Sequence, residues 1–194
     1  MNPREPFSVE DFLAKLEANH PDVALDPTVE AGLQRLSEVL HRHDDARPRL
    51  LLIDDDDADA ELFENALKEN GVSLEVTRVR NAQEAIDYFA GEKSFADRRR
   101  FPLPRLTILD LKLPLGGGLE VLNRMRRLPH CATLAVIVLT GSHAKADMDE
   151  AFRLNASAFI SKPDNFSALV QVVKQVKATW MNAQKLPGQN ADAV

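Results

Sequence analysis

From residue 49 onward the hydrophobic positions follow two rhythms: short unbroken apolar runs, and longer stretches in which apolar residues recur every three or four positions. The runs Leu50 to Ile53, Leu74 to Val79, Leu106 to Leu109, Ala135 to Leu139 and Ala158 to Ile160 read as five strands. Helical spacing follows at Leu62, Phe63, Ala66 and Leu67, at Ala85, Ile86 and Phe89, at Leu119, Val121, Leu122 and Met125, and at Met148, Ala151 and Phe152. A fifth and longest helix carries Phe166, Leu169, Val170, Val173, Val176 and Trp180 on one face, with Asp164 placed to cap its start. Strands alternating with helices predict an α/β fold, (βα)5, in which a parallel sheet is covered on both faces.

Two more helices are predicted before this unit. The first opens at Ser8, with Asp11 three residues on as in a capping box, and carries Val9, Phe12, Leu13 and Leu16. The second starts at Asp26 and Pro27, and its Val29, Leu33, Leu36 and Leu40 form a narrow apolar seam suited to packing on another surface. A polar linker, His41 to Pro48, leads into the first strand. The expected organisation is therefore a helical extension and linker over residues 1–48, one domain over 49–186 and a disordered tail over 187–194.

The charge refines this picture. The chain carries a formal charge of -6, and 10 acidic against 5 basic side chains fall within residues 1–47, so most of the imbalance sits on the extension. An acidic chain is a poor match for nucleic acid, whose phosphates call for clustered Lys and Arg. Arg98, Arg99, Arg100 and Arg105 form a basic loop that reads first as solvated and otherwise as suited to a partner's acidic surface. Cys131 is the single cysteine, no apolar run approaches about 18 residues, and the start lacks a signal-peptide pattern, which together point to a cytoplasmic protein free of the membrane.

The chemistry lies at the strand ends. In an open parallel sheet, ligands bind beyond the carboxyl ends of the strands. There the sequence sets Asp54 and Asp55 after the first strand, Asp110 after the third, Thr140 after the fourth and Lys162 after the fifth. Carboxylates about 4 Å apart repel by roughly 4 kcal/mol at an effective dielectric of 20. A divalent cation relieves this, and Mg2+ fits best because it takes hard oxygen ligands and is readily shared with phosphate. An aspartate beside such an ion can act as the nucleophile toward a phosphoryl group, with Lys162 and Thr140 bonding to its oxygens.

In that order, Leu51-Leu52-Ile53-Asp54-Asp55, Leu109-Asp110-Leu111-Lys112-Leu113-Pro114, Val138-Leu139-Thr140-Gly141 and Ser161-Lys162-Pro163 resemble the receiver domains of two-component response regulators over about residues 49 to 181. The resemblance implies a flavodoxin-like strand order 2-1-3-4-5 and a phosphoryl group accepted on Asp110 from a sensor histidine kinase. It also implies Mg2+ held by Asp54, Asp55, Asp110 and the Lys112 backbone carbonyl, a cis Lys162–Pro163 bond, and Phe159 in the place of an aromatic switch residue. The stretch Asp59 to Leu67 and the long loop before the third strand look most like single-domain regulators paired with phytochrome-type kinases. Signalling would then run through protein–protein contacts, with Val172 and its neighbours on the last helix suited to a homodimer.

The sequence departs from the family pattern in places. Lys112 replaces a more usual asparagine, which implies an altered rate of autodephosphorylation, and Gly117 stands where an aspartate is common. Asp56, Asp57 and Asp59 read as cap, turn or solvent-facing residues. Two rivals remain at this stage: a haloacid-dehalogenase-like phosphohydrolase with Asp54 as nucleophile, and a pseudo-receiver that takes no phosphate. Against the first, Asp57-Ala58 stands where a glycine-threonine would follow the acidic motif, and Asp110 would be left idle.

Overall fold

A computed structural model describes residues 49–72 and 74–183, without the side chains of residues 179–183. The predicted N-terminal helices and linker, the tail and Trp180's place on the last helical face lie outside what is described. Among the described residues the order is β1 (Arg49–Ile53), α1 (Asp57–Glu69), β2 (Glu75–Val79), α2 (Ala82–Ala90), β3 (Leu106–Leu109), α3 (Gly118–Arg126), β4 (Ala135–Thr140), α4 (Lys145–Arg153), β5 (Ala158–Ser161) and α5 (Phe166–Ala183). The five strands form one parallel sheet in the order β2-β1-β3-β4-β5.

The unbroken apolar strands serve two cores at once. Along β1, Leu50 and Leu52 face α1 and α5, while Leu51 and Ile53 face the opposite layer; Ile137 and Val138 divide in the same way on β4. On the first face Phe63, Ala66 and Leu67 of α1 meet Leu169, Val173 and Val176 of α5. On the second, Ala85 and Phe89 of α2 pack with Val121, Leu122 and Met125 of α3 and Ala151 of α4. Each large buried aliphatic or aromatic side chain contributes about 1.5–3 kcal/mol, so the period-two split anchors every strand on both sides.

Caps set where the helices start. Asp56 accepts from the N–H groups of Ala58 and Asp59 at the head of α1, as its cap reading required. Asn81 accepts from Glu84 N–H at α2, and Glu84 accepts in return from Arg80 N–H. At α5 the cap is Asn165, whose Oδ1 accepts from Ala168 N–H, rather than the expected Asp164. The helix begins one residue later than the spacing suggested, and the shift hands the cap to the neighbouring side chain. No described helix is long and apolar enough to cross a membrane.

Candidate phosphoacceptor site

The sheet ladder carries on past the strands and fixes the residues that follow them. Asp54 N–H donates to Val79 O, Asp110 N–H to Ile53 O and Lys162 N–H to Thr140 O, at 3.1, 2.9 and 2.8 Å. Asp54, Asp110, Thr140 and Lys162 thereby come together at the carboxyl edge. Asp54, Asp110 and Thr140 are buried there.

Lys162 is the centre of the cluster. Its Nζ donates to Asp110 Oδ2 at 2.7 Å, to Asp54 Oδ2 at 2.9 Å and to Asp59 Oδ2 at 2.6 Å. Asp59, which the sequence left to solvent or a cap, is the residue that reading missed. It lies in the first turn of α1, and only the approach of the β5–α5 loop brings it within reach of the lysine. Burial lowers the pKa of the Lys162 ammonium, but its hydrogen bonds to Asp110, Asp59 and Asp54 outweigh that and hold it above the ordinary lysine value. Burial pushes the Asp54 carboxyl up, because the lysine it shares with Asp110 compensates it only in part.

The other Asp110 oxygen, Oδ1, accepts from the Thr140 hydroxyl at 2.7 Å and from Lys112 N–H at 3.0 Å. Thr140 Oγ1 in turn accepts from Ser142 N–H, and Ser142 Oγ donates to Asp147 Oδ2 in the first turn of α4. A hydrogen-bonded chain thus links the Asp110 carboxylate to α4. The loop after Asp110 is folded tightly beneath it: Gly118 N–H donates to Leu111 O, and a Cβ at Gly118 would stand 2.2 Å from Asp110 O. Gly117, with φ of 77°, sits in a conformation that disfavours the aspartate common there.

The four neighbouring aspartates separate. Asp54 turns inward, Asp56 caps α1, and Asp57 pairs with Arg78 and Arg80. Arg78 Nε also holds the Asp54 carbonyl at 3.0 Å from the side of β2. Asp55 is exposed and forms no ion pair with the described residues.

The expected convergence of Asp54, Asp55 and Asp110 is therefore incomplete. Among the described residues no three acidic or histidine side chains lie close enough to hold a metal ion by themselves. The mutual repulsion of Asp54 and Asp110 is offset by the lysine. The donor set, two buried carboxylates with an exposed one beside them, still fits a hard cation that binds few protein oxygens and keeps several waters.

The places of Phe159 and of the Lys162–Pro163 bond complete the comparison with the sequence. Phe159 lies in the core against the α2–α4 layer, apart from the cluster. No described peptide bond is cis, so the bond between Lys162 and Pro163 is trans, the form that X–Pro bonds favour by about 0.5–1 kcal/mol.

A carboxylate gripped by a lysine and a threonine at the open end of a 2-1-3-4-5 sheet defines a phosphoacceptor domain of the two-component type. The family model of the response regulator receiver domain matches residues 50–174, and the chain belongs to that family. It is 30% identical to the probable methanogenesis regulatory protein FilR2 of Methanothrix harundinacea, over 72% of this chain and 87% of that protein. Similarity to the response regulator Rcp1 of Synechocystis is 28% identity over 71% of this chain and 92% of that one. Among solved structures, the phosphorylated cyanobacterial phytochrome response regulator RcpA superposes with a TM-score of 0.66 at 33% identity, over 74% of this chain and all of that one. The Mn2+-bound form of Rcp1 superposes with a TM-score of 0.64 over 73% of this chain and 99% of that one. Family membership sets the phosphohydrolase reading aside.

Proposed function

We propose that Asp110 accepts a phosphoryl group from the phosphohistidine of a sensor histidine kinase. The observation that carries this is the Asp110 carboxylate itself, held on one oxygen by Lys162 and on the other by Thr140. In the transfer an Asp110 oxygen attacks phosphorus, the new O–P bond forms as the P–N bond breaks, and the imidazole leaves with the electron pair and takes a proton from water. The Lys162 ammonium and the Thr140 hydroxyl then move from carboxylate oxygens to phosphoryl oxygens, donating to the charge that has been added. Asp54, Asp55, Asp110 and the Lys112 carbonyl would hold Mg2+, which supplies charge neutralisation for the phosphoryl group. Rcp1 in its Mn2+-bound form supports a divalent ion at such a site.

Drawing Thr140 toward a phosphoryl oxygen pulls on the Ser142–Asp147 bonds, which tilts a pre-existing equilibrium of α4, β5 and α5. The reading also puts a homodimer contact on that face, where Val172 of α5 is only partly buried. RcpA's description as a phytochrome response regulator favours a phytochrome-type kinase, and the reading places the protein in the cytoplasm with the receiver over residues 49–186.

Incubation with a small acyl-phosphate donor and Mg2+ tests the proposal by intact mass. One phosphoryl adduct is expected, absent in Asp110→Asn. An adduct that survives in Asp110→Asn and vanishes in Asp54→Asn would overturn it, as would no adduct at all.

A further inference from the structure

The loop between α2 and β3 is basic within an acidic chain: residues 92–105 carry Lys93, Arg98, Arg99, Arg100 and Arg105 against Glu92 and Asp97. It is also firmly built. Arg98 donates to the carbonyls of Tyr88 and Phe89 at 2.7 Å and of Phe101 at 3.3 Å, closing the loop over the end of α2. The Tyr88 ring packs against Phe95 and Phe101 at centroid distances of 5.2 and 6.3 Å, and its hydroxyl donates to Pro102 O. Phe95, Phe101 and Leu103 are left half-buried, with Arg99 and Arg100 exposed beside them. The result is a fixed apolar patch with a cationic rim.

The loop ends where the N-terminal segment begins. Arg105 N–H donates to the carbonyl of Arg49, the first residue of β1, at 3.0 Å. The segment joined there is the strongly acidic one, with its seam at Val29, Leu33, Leu36 and Leu40. We propose that residues 1–48 of this chain dock on the loop between α2 and β3, laying an apolar seam on Phe95, Phe101 and Leu103 and carboxylates against Arg99 and Arg100.

Three considerations choose this occupant. Charge is complementary, and the surface ion pairs, each worth less than about 1 kcal/mol, act together with apolar burial. Reach is short: Asp44 and Asp45 stand five and four residues before Arg49, Arg99 and Arg100 six and five before Arg105, so each tether spans at most about 20 Å. Tethering also makes the encounter intramolecular, at an effective concentration near millimolar. The patch borders the sheet where β1 and β3 begin, the opposite edge from Asp110, so the docked segment leaves the phosphoacceptor site open.

Hydrogen exchange of the full chain, followed by mass spectrometry, tests this. In Arg99→Glu/Arg100→Glu, amides of residues 29–40 and 93–103 should exchange several-fold faster while those of β1, β3 and β4 keep their wild-type rates, which shows that the fold is intact. About 1 M salt should do the same to the wild type. Adding Asp44→Arg/Asp45→Arg to the loop variant should restore protection. Exchange over 29–40 that the loop variant leaves unchanged would overturn the proposal, and so would protection that rises with protein concentration, since a second copy would then be the occupant.

Discussion

Lys162 Nζ stands 2.7 Å from Asp110 Oδ2 and also bonds to Asp54, so one cation serves two buried anions. Lys162→Met would leave both without this countercharge, a loss of about 3 kcal/mol at pH 7. The deficit should shrink as Asp54, whose carboxyl burial already pushes up, protonates. Urea unfolding of variant and wild type at pH 7 and pH 4.5 checks this; an equal deficit at both values would assign the lysine a packing role only.

Asp54 gives a pH dependence of opposite sign to a typical salt-bridged acid. Its folded-state pKa is raised above the ordinary 3.8, chiefly by burial, so the folded chain binds a proton more readily than the unfolded one and ionised Asp54 opposes folding. Asp54→Asn should therefore stabilise the fold at pH 7 in metal-free buffer. The gain should fade as pH drops through the raised pKa, and disappear below 3.8, where the carboxyl is neutral in both states. Thermal unfolding across that range reads it out.

The glycines at the site differ sharply in what they tolerate. An alanine Cβ at Gly118 would meet Asp110 O at 2.2 Å and Leu111 Cα at 2.7 Å, both backbone atoms, whereas one at Gly141 meets nothing within 4 Å. Gly118→Ala should cost about 2 kcal/mol and slow phosphoryl uptake by displacing Asp110. Gly141→Ala should stay within about 0.5 kcal/mol of wild type. Denaturant midpoints of the two variants, measured together, make the comparison.

Lys112 bonds to Asp110 through its backbone N–H, while its side chain is exposed. An ammonium there can screen an acyl phosphate from attacking water. Decay of labelled protein should be several-fold faster in Lys112→Asn, with the uptake rate little changed because the backbone contact remains. Equal decay rates would remove the side chain from the account.

The sequence yielded much of this because strand ends are legible. A largely apolar run of three to five residues that gives way to polar side chains locates Asp54, Asp110, Thr140 and, one residue past Ser161, Lys162, and parallel pairing brings them to one edge. What it could not give depends on distances between elements far apart in the chain. Asp59 bonds to a lysine 103 residues away, and nothing in the run from Asp54 to Asp59 distinguishes it from its neighbours. The four consecutive aspartates have identical chemistry and four different environments, decided by Arg78 on β2, by Arg80 just after it and by where α1 starts. Phe159 stands in the place of an aromatic switch residue, but an aromatic ring in a short strand suits a core equally, and it packs among the buried residues.

The strand order has one more consequence. β1 lies between β2 and β3, so the interior strand that leads into Asp54 must insert between a sequence neighbour and a strand more than 50 residues further on. A chain cut in the α2–β3 loop would yield one fragment with Asp54 and another with Asp110, Thr140 and Lys162. Neither fragment holds a complete site, so recovery of phosphoacceptance on mixing would report reassembly of the sheet, and the domain could serve as a split reporter of its own association.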